Sequence, residues 1–286
     1  MDKIALIADI HGNLSALEAV LSDIKQRGIT HIYCLGDIAI KGVHPNEVTE
    51  LIKQNCEVVI RGNCDHLLAH NCVVPLQKWT VDHMTPENVE YLGSLPISHD
   101  FYLSGHLVRI FHASPLSMKH IFNPLHSNAE SKEYQNFEIL DPMQMFANTN
   151  FIGKSENDPT PDIVGYAHIH SPNIFRFKNK TIFNTGSVGL PIEIDNTDED
   201  IDSSHFSTIS SYIILEGMLN SKEISSYSIS LIRLPYNLEK EIEKAQEPLP
   251  PVDVTQALEI FDTEVLDLDK IRELDEEHQR RIHKHD

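Results

Sequence analysis

The chain has 286 residues, of which 41% are hydrophobic, so it is long enough for one large domain or two modest ones with a sizeable core. Its 43 acidic residues outnumber 23 basic residues, and the formal net charge of -20 argues against long DNA or RNA as a partner, because that binding depends on Lys and Arg. A small phosphorylated molecule is still allowed, since metal ions can reverse the local charge.

The cysteines and the apolar runs indicate the compartment. Cys34, Cys56, Cys64 and Cys72 form no C-x-x-C pair, and a chain of this size does not depend on disulfides. The first strand is predicted to begin at residue 3, which leaves no room for a signal, and no apolar run approaches the roughly 18 residues of a membrane span. We therefore expect a cytoplasmic protein with reduced thiols and no membrane contact.

The first predicted element is a buried strand over 4–8, a short aliphatic run followed by a turn. Asp9 and His11 come at its carboxyl end, and Asn13 is a good cap for the amphipathic helix predicted over 14–25. In open α/β sheets the crevice at the carboxyl ends of strands is where ligands bind. The pair favours a ligand site there, although two such residues alone would equally form a helix-capping turn.

The next two strands repeat this arrangement. We predict strands over 31–35 and 57–60 with a helix over 45–54 between them, and the strands end in G-D at 36–37 and R-G-N-C-D at 61–65. One polar turn at a strand end is usually a loop without chemistry. Three at equivalent positions favour a functional site.

The middle of the chain adds imidazoles to the same pattern. Residues 66–99 predict mostly helical and irregular structure, and strands are predicted over 106–111 and 162–166. These strands lead into F-H-A-S-P at 111–115 and A-H-I-H at 167–170. Histidine is the commonest metal ligand, so the imidazoles are candidates for the same site.

The chain divides into a long domain and a charged extension. We predict a domain over 1–235 that contains a helical lid or insertion within about 115–160 and ends in a hairpin over 211–234. Residues 236–286 predict a helical, acidic extension. That extension is expected to be solvated, and a contact between copies of the chain is the alternative.

The strand-end side chains together predict a metal site. They are Asp9, His11, Asp37, Asn63, His112, His168 and His170. Carboxylates, imidazoles and an amide oxygen suit manganese, iron, zinc or cobalt better than calcium or a thiolate-rich zinc site. Seven ligands are too many for one four-coordinate ion, so they predict two ions that share a bridging carboxylate.

In order along the chain, these motifs resemble those of the calcineurin-like metallophosphoesterases. The family pattern is D-x-H, G-D, G-N-H-D/E, a lone His and G-H-x-H. The corresponding stretches here are D-I-H-G-N at 9–13, G-D at 36–37, G-N-C-D at 62–65, F-H-A-S-P at 111–115 and A-H-I-H at 167–170. The N-T-G-S-V-G-L-P at 184–191 resembles the turn that follows in bacterial members.

The resemblance implies a fold and a ligand set. The fold is an α/β (α+β) four-layer αββα sandwich of two mixed β-sheets with helices on both outer faces. One ion would be held by Asp9, His11, Asp37 and His170, and the other by Asp37, Asn63, His112 and His168. Manganese or iron is favoured, and a hydroxide that bridges the ions would attack phosphorus in line.

Two residues depart from the family pattern. Ala167 replaces the Gly before His168, which is tolerable if its backbone φ is negative. Cys64 replaces the His that, in the family, is thought to protonate the leaving group. A thiol with an ordinary pKa of about 8.5 is a poor substitute, so we expect leaving groups that need no proton, such as those of anhydrides and aryl phosphates.

The predicted function is therefore a two-metal phosphoesterase that hydrolyses a small nucleotide-like ester or anhydride, of the diadenosine polyphosphate, ATP or ADP type. A general or cyclic-nucleotide phosphodiesterase is the alternative, and a non-catalytic protein-binding scaffold is a weaker one because such relatives lose metal ligands. Beyond the metal ligands, Asp37, Asp65 and His66 are predicted to be catalytic. Asn13, Cys64 and His66 are predicted to contact the substrate, with His66 as a possible replacement acid.

Overall fold

A computed structural model of the protein describes residues 1–70, 74–122, 139, 141–194 and 204–244. Its strands are, in chain order, β1 Asp2–Ile7, β2 His31–Cys34, β3 Val58–Val59, β4 Ser98–Leu103, β5 His106–Phe111, β6 Ile163–Tyr166, β7 Asn173–Phe177, β8 Lys180–Asn184, β9 Ile192–Ile194, β10 Ser204–Phe206, β11 Ile209–Gly217 and β12 Ser228–Pro235. Its helices are α1 Leu14–Gln26, α2 Pro45–Asn55, α3 Asn63–His70, α4 Pro75–Asp82, α5 Pro86–Ser94 and α6 Leu238–Lys244, and two short 3-10 helices span Pro142–Phe146 and Asn150–Ile152.

Two five-stranded sheets form the centre of the fold. Their strand orders are β12-β11-β1-β2-β3 and β4-β5-β6-β8-β7, and β9 and β10 form a separate pair. β1 is parallel to β2 and antiparallel to β11, while β6 is parallel to β5 and β8, with antiparallel β4 and β7 at the edges. Both sheets are mixed, and helices flank them, which confirms the predicted fold class.

Alternation along β1 explains how the layers pack. Successive side chains of a strand point to opposite faces, and here both faces are apolar. Ile4 and Leu6 pack with Val108 and Ile110 of the second sheet in a core between the sheets. Ala5 and Ile7 lie in a second core with residues of α1 and α2, and so the first sheet is buried on both faces.

Helix α1 begins and ends where the sequence predicts. The Asn13 side chain accepts a hydrogen bond from the backbone N–H of Ala16 at 3.0 Å, which caps the first turn. Leu17, Val20 and Ile24 are fully buried at helical spacing. This packing fixes the loop between β1 and α1, which carries Asp9 and His11.

The sequence prediction misses strands β4, β7, β9 and β10. β4 begins inside the region predicted to be mostly helical and irregular, because its first residues, Ser98 to Asp100, are polar. The polarity has a structural use: the Asp100 carboxylate accepts two hydrogen bonds from the fully buried guanidinium of Arg109 on β5, at 2.8 and 2.9 Å. The polar start of β4 thus supplies the charge partner of a buried arginine on the neighbouring strand.

The segment predicted as a lid is described in part, since residues 123–138 and 140 lie outside the described residues. In the described part, Met145 and Phe146 pack against Phe111 and Tyr166 on the outer face of the second sheet. The tail over 245–286 is also outside the described residues, and so the extension and any contact between copies through it stay predictions. Among the described helices, none has the length and apolar character needed to cross a membrane.

Candidate metal centre

The predicted ligands meet at the carboxyl ends of the central strands. Asp9 and His11 follow β1, Asp37 follows β2, Asn63 opens α3 after β3, His112 follows β5, and His168 and His170 follow β6. All are buried except His168, which is partly exposed. Three sets of ligand atoms lie within 4.8 Å of one another: Asp9, His11 and His170; Asp37, His112 and His168; and His11, Asp37 and Cys64.

The first set closes around a single point. His11 Nε2 and His170 Nε2 are 3.0 Å apart, and Asp9 Oδ1 lies 3.4 Å from His170 Nε2 and 3.8 Å from His11 Nε2. Ligand atoms about 2.0–2.2 Å from one metal ion lie at such distances from each other. Residues that are far apart in the sequence therefore form a group of the size that one ion requires.

Asp37 connects the first set to the second. Its Oδ2 atom is 3.4 Å from His112 Nε2 and 4.0 Å from His11 Nε2. Its other oxygen, Oδ1, accepts a hydrogen bond from the backbone N–H of Cys64 at 2.9 Å. One carboxylate oxygen is thus held by the backbone, and the other faces imidazoles of both sets.

Backbone carbonyls orient three of the imidazoles. His11 Nδ1 lies 3.2 Å from Ile40 O, His112 Nδ1 2.7 Å from Leu35 O, and His170 Nδ1 2.8 Å from Leu190 O. A carbonyl can only accept, so each Nδ1 carries a proton, and in the neutral form of each ring Nε2 presents a lone pair to the site. Metal-binding histidines are typically oriented in this way.

Several buried polar atoms at the centre have no hydrogen-bond partner among the described residues. They include Asp9 Oδ1, Asn63 Oδ1 and His112 Nε2. Leaving a buried polar atom unpaired costs about 1–3 kcal/mol, and native proteins rarely do so without a compensating ligand. The two oxygens donate electron pairs, as does His112 Nε2 once its ring is neutral, and so the residues fit a divalent metal site.

Most of the candidate metal ligands have a backbone conformation that is strained for a residue with a side chain. Asp9, His11, Asp37, His168 and His170 have φ between 48° and 70°, in the left-handed region. This region costs a residue with a side chain about 1–2 kcal/mol, and such outliers cluster at functional sites. Ala167 is not among the residues with positive φ, so a side chain at this position, where the family has Gly, causes no strain.

Burial and the carboxylates set the protonation of the imidazoles. Burial lowers the pKa of His11 well below its ordinary value and lowers the pKa of His168 to about 3, with His112 adding to the effect in the second case. For His112, burial acts in the same direction, but the Asp37 carboxylate outweighs it and raises the pKa to about 10. In the absence of metal, His112 is therefore protonated beside Asp37 at neutral pH.

Asp65 binds the backbone of the loops next to the centre. Its carboxylate accepts hydrogen bonds from the backbone N–H groups of Asp37, Ile38 and Gly62 at 2.8, 2.9 and 2.9 Å. Burial, and then the charge of Asp37, raises its pKa to about 6. A side chain at Gly62 would collide with the Asp37 carboxylate, so glycine is needed there. These hydrogen bonds hold the Asp37 loop in place, and the predicted catalytic role of Asp65 stays a prediction.

The other substrate candidates differ in their surroundings. Asn13 donates to Gly189 O at 3.0 Å while its oxygen caps α1, so both ends of its side chain are engaged. Cys64 is fully buried beside His11 and Asp37. His66 is half-buried, its Nδ1 atom has no partner among the described residues, and burial lowers its pKa, so it is mostly neutral at pH 7.

A comparison with known families identifies this arrangement. The sequence model of the calcineurin-like phosphoesterase superfamily domain matches residues 2–200. The chain belongs to this superfamily. The resemblance based on the five motifs is thereby confirmed, and with the convergent ligand groups it makes the protein a metal-dependent phosphoesterase.

The chain is similar to one protein in sequence and to two solved structures in fold. An uncharacterized protein from Methanocaldococcus jannaschii is 33% identical over 251 residues, which cover 84% of this chain and 90% of the relative. A metallophosphoesterase from Sphaerobacter thermophilus matches the structure with a TM-score of 0.57 at 21% identity, over 85% of this chain and 94% of that one. A hypothetical protein from Pyrococcus horikoshii OT3 matches with a TM-score of 0.60 at 20% identity, over 86% and 95%. The two structural matches support the fold.

Proposed function

We propose that the protein is a two-metal phosphoesterase for small nucleotide-like substrates and that the seven predicted side chains hold its ions. The proposal rests mainly on Asp37, whose Oδ2 atom lies 3.4 Å from His112 Nε2 and 4.0 Å from His11 Nε2, within reach of both ligand sets. When bound, such ions supply an activated water and neutralise the phosphoryl oxygens. Manganese or iron suits a set of carboxylates, imidazoles and one amide.

The chain's own residues suggest the class of leaving group. The position of the usual acid is Cys64, a fully buried thiol, and His66, two residues further along α3, is mostly neutral because burial lowers its pKa. Neither side chain is a ready proton donor at neutral pH. This supports phosphate anhydrides and aryl esters, whose leaving groups depart as stable anions, as substrates.

The size and charge of the protein support a small substrate. The net charge of -20 disfavours a nucleic acid polymer. A cavity of about 410 Å³ beside His11 has the volume of a typical small-ligand site. A nucleoside or dinucleoside polyphosphate satisfies both constraints if its phosphates lie at the ions and a nucleoside lies in this cavity. The free thiols of Cys34, Cys56 and Cys64 agree with a cytoplasmic substrate.

The test is a substrate panel on metal-stripped protein to which manganese is returned. The panel contains a dinucleoside tetraphosphate, ATP, ADP, cyclic AMP and an aryl phosphodiester. Asp37→Asn removes the proposed bridging charge, and Asp82→Asn, an exposed carboxylate on α4, is the matched control. We expect cleavage of the anhydrides that is retained in Asp82→Asn and reduced at least 100-fold in Asp37→Asn.

Each other outcome has a defined meaning. Cleavage of only the cyclic nucleotide or the diester would replace the anhydride substrates with the alternative of a phosphodiesterase. Equal turnover in Asp37→Asn and wild type would contradict the proposed role of Asp37. No turnover by protein that binds two ions per chain would contradict catalysis by this centre and favour a binding function.

A further inference from the structure

The cavity next to the proposed centre has one wall from the C-terminal segment. His11, Asn13 and Lys41 line this cavity of about 410 Å³, together with Tyr236 and Glu241 of the C-terminal segment. Because His11 also belongs to the proposed metal centre, the cavity adjoins that centre, and a substrate held at the ions can extend into it. The segment after β12 is therefore part of the surroundings of the substrate.

Glu241 is bound tightly to the start of helix α1. Its carboxylate accepts hydrogen bonds from the backbone N–H groups of Leu14 at 3.1 Å and Ser15 at 2.7 Å, and Glu241 is only 8% exposed. Lys244 of the same helix pairs with Glu18 of α1 at 2.9 Å. Two positions of α6, Glu241 and Lys244, thus hold this helix against α1.

This contact fills a place that suits an anion. The N-terminus of a helix carries a partial positive charge and free N–H groups, and it commonly binds phosphate or carboxylate. Here the protein's own carboxylate takes both N–H groups, next to Asn13 and the cavity. A second phosphate of a substrate would have to displace Glu241 or lie against its negative charge.

Tyr236 gives the same wall a neutral, partly apolar surface. Burial, followed by the charge of Glu241, raises the pKa of its hydroxyl. The phenol therefore stays protonated at neutral pH. An aromatic ring of this kind suits a nucleoside or aryl group better than a phosphate.

We propose that Glu241 is a specificity-determining residue: its carboxylate excludes a second anionic group from this side of the cavity and reserves the side for the neutral part of the substrate. The argument rests on the proposed function, because it takes the substrate to be a phosphate ester or anhydride held beside His11. Glu241 acts by charge and position and not as a catalytic residue.

The test compares one anionic group with several. Binding of orthophosphate and tripolyphosphate to the full-length, manganese-loaded protein is measured by calorimetry at a fixed free manganese concentration. Glu241→Ala is expected to bind tripolyphosphate about tenfold more tightly, because two N–H groups and the helix terminus become available, while orthophosphate binding stays within twofold. Glu239→Ala, an exposed carboxylate on the same helix, is the control and should match wild type for both.

A second variant protects against a folding defect. Glu241→Gln keeps an oxygen that accepts a hydrogen bond but removes the charge, so it should retain α6 and still improve tripolyphosphate binding, by a smaller factor. If both variants melt with wild-type cooperativity and neither gains tripolyphosphate affinity, the proposal is wrong. An equal gain in Glu239→Ala would also overturn it, because the effect would then be general charge removal.

The outcome is separable from that of the proposed function, because it is a binding measurement. A selective gain in Glu241→Ala without turnover of any phosphate ester would support the role of Glu241 and contradict the proposed activity. Normal turnover with no selective gain in tripolyphosphate affinity would support the proposed activity and contradict the role of Glu241.

Discussion

The Nε2 atoms of His11 and His170 face each other at 3.0 Å, although the two residues are 159 positions apart in the chain. Each ring is held from its far side by a backbone carbonyl, Ile40 O or Leu190 O, so both Nε2 atoms present lone pairs. Two lone pairs at this distance repel one another, and a cation between them removes the repulsion. The relationship is best explained by a shared metal ion.

Replacing one of these rings should remove one ion. We expect His170→Ala to lose about one metal ion per chain after dialysis, because a ligand set that loses one imidazole binds more weakly. Metal analysis of the dialysed protein measures the stoichiometry. His83→Ala, which alters an exposed histidine directly after α4, is the control and should keep the wild-type content. An unchanged content in His170→Ala would place the ion elsewhere.

Metal binding should release a proton. Asp37 outweighs burial and raises the pKa of His112 to about 10, and a metal binds only the neutral imidazole. Lower pH therefore favours the competing proton, so the apparent metal affinity should rise with pH from 6 to 9. Calorimetry in buffers of different ionisation enthalpy counts the released protons, and we expect about one more in wild type than in His112→Asn.

Replacing Asp65 should lower the stability and the metal affinity of the protein and should affect catalysis only through them. Asp65→Ala leaves the buried N–H groups of Asp37, Ile38 and Gly62 without an acceptor, and we expect the free energy of unfolding to fall by about 2–5 kcal/mol in urea titrations. Metal affinity should fall with it, because the Asp37 loop loosens. Loss of activity with unchanged stability and metal content would instead indicate that Asp65 takes a direct part in the reaction.

The pair of Asp100 and Arg109 should stabilise the fold far from the centre. Arg109 is fully buried, so Asp100→Asn leaves a buried cation without its charge partner and should lower the free energy of unfolding at pH 7 by about 3 kcal/mol. Asp82→Asn is the exposed control. A change below 0.5 kcal/mol, about the effect of an ordinary surface substitution, would show that the pair does not stabilise the protein.

The same pair predicts an acid-dependent loss of stability. Burial alone would raise the pKa of Asp100, but hydrogen bonds from Arg109 and Lys154 outweigh it and hold the pKa below its ordinary value. The stabilisation is therefore present above about pH 4 and is lost as the pH falls through the lower, folded-state pKa. The difference between wild type and Asp100→Asn should shrink over this range.

A histidine at position 64 should widen the range of leaving groups. Cys64→His supplies a proton donor with a pKa near neutrality, and we expect the turnover of an alkyl phosphodiester to rise at least tenfold relative to an aryl one. Cys56→Ala controls for loss of a thiol elsewhere. Equal alkyl and aryl rates in the wild-type protein would contradict the argument, because they would show that no leaving-group acid is missing.

The site could be predicted from the sequence because its ligands lie in short local motifs directly after strands. Asp9, Asp37 and His112 each follow a short apolar run, and parallel strands place their carboxyl ends together. The left-handed backbone of Asp9 and Asp37 could not be predicted, because it arises when neighbouring loops close on one another. Local sequence patterns therefore predict which residues come together. The backbone conformation of these residues depends on tertiary packing.

Glu241 shows the opposite case. It lies in the run L-E-K-E-I-E-K, where Glu239, Glu241 and Glu243 have nearly the same neighbours. Only the path of the chain, which returns α6 to α1, selects the middle glutamate. β4 was missed for a related reason, since the partner of its polar Asp100 lies on another strand. Contacts between distant segments leave no periodic signal to detect.

The position of β1 in its sheet also sets an order for assembly. Asp9 and His11 follow a strand at the very beginning of the chain, yet β1 pairs on one side with β2 and on the other with β11, from Asp2 opposite Gly217 to Leu6 opposite Ile213. During synthesis the strand that leads to these ligands has an open hydrogen-bonding edge until residue 217 has left the ribosome. The seven proposed ligands are all synthesised by His170, but this edge of β1 is covered only when β11 pairs with it. A truncation before β11 would therefore leave β1 exposed to pairing with other chains.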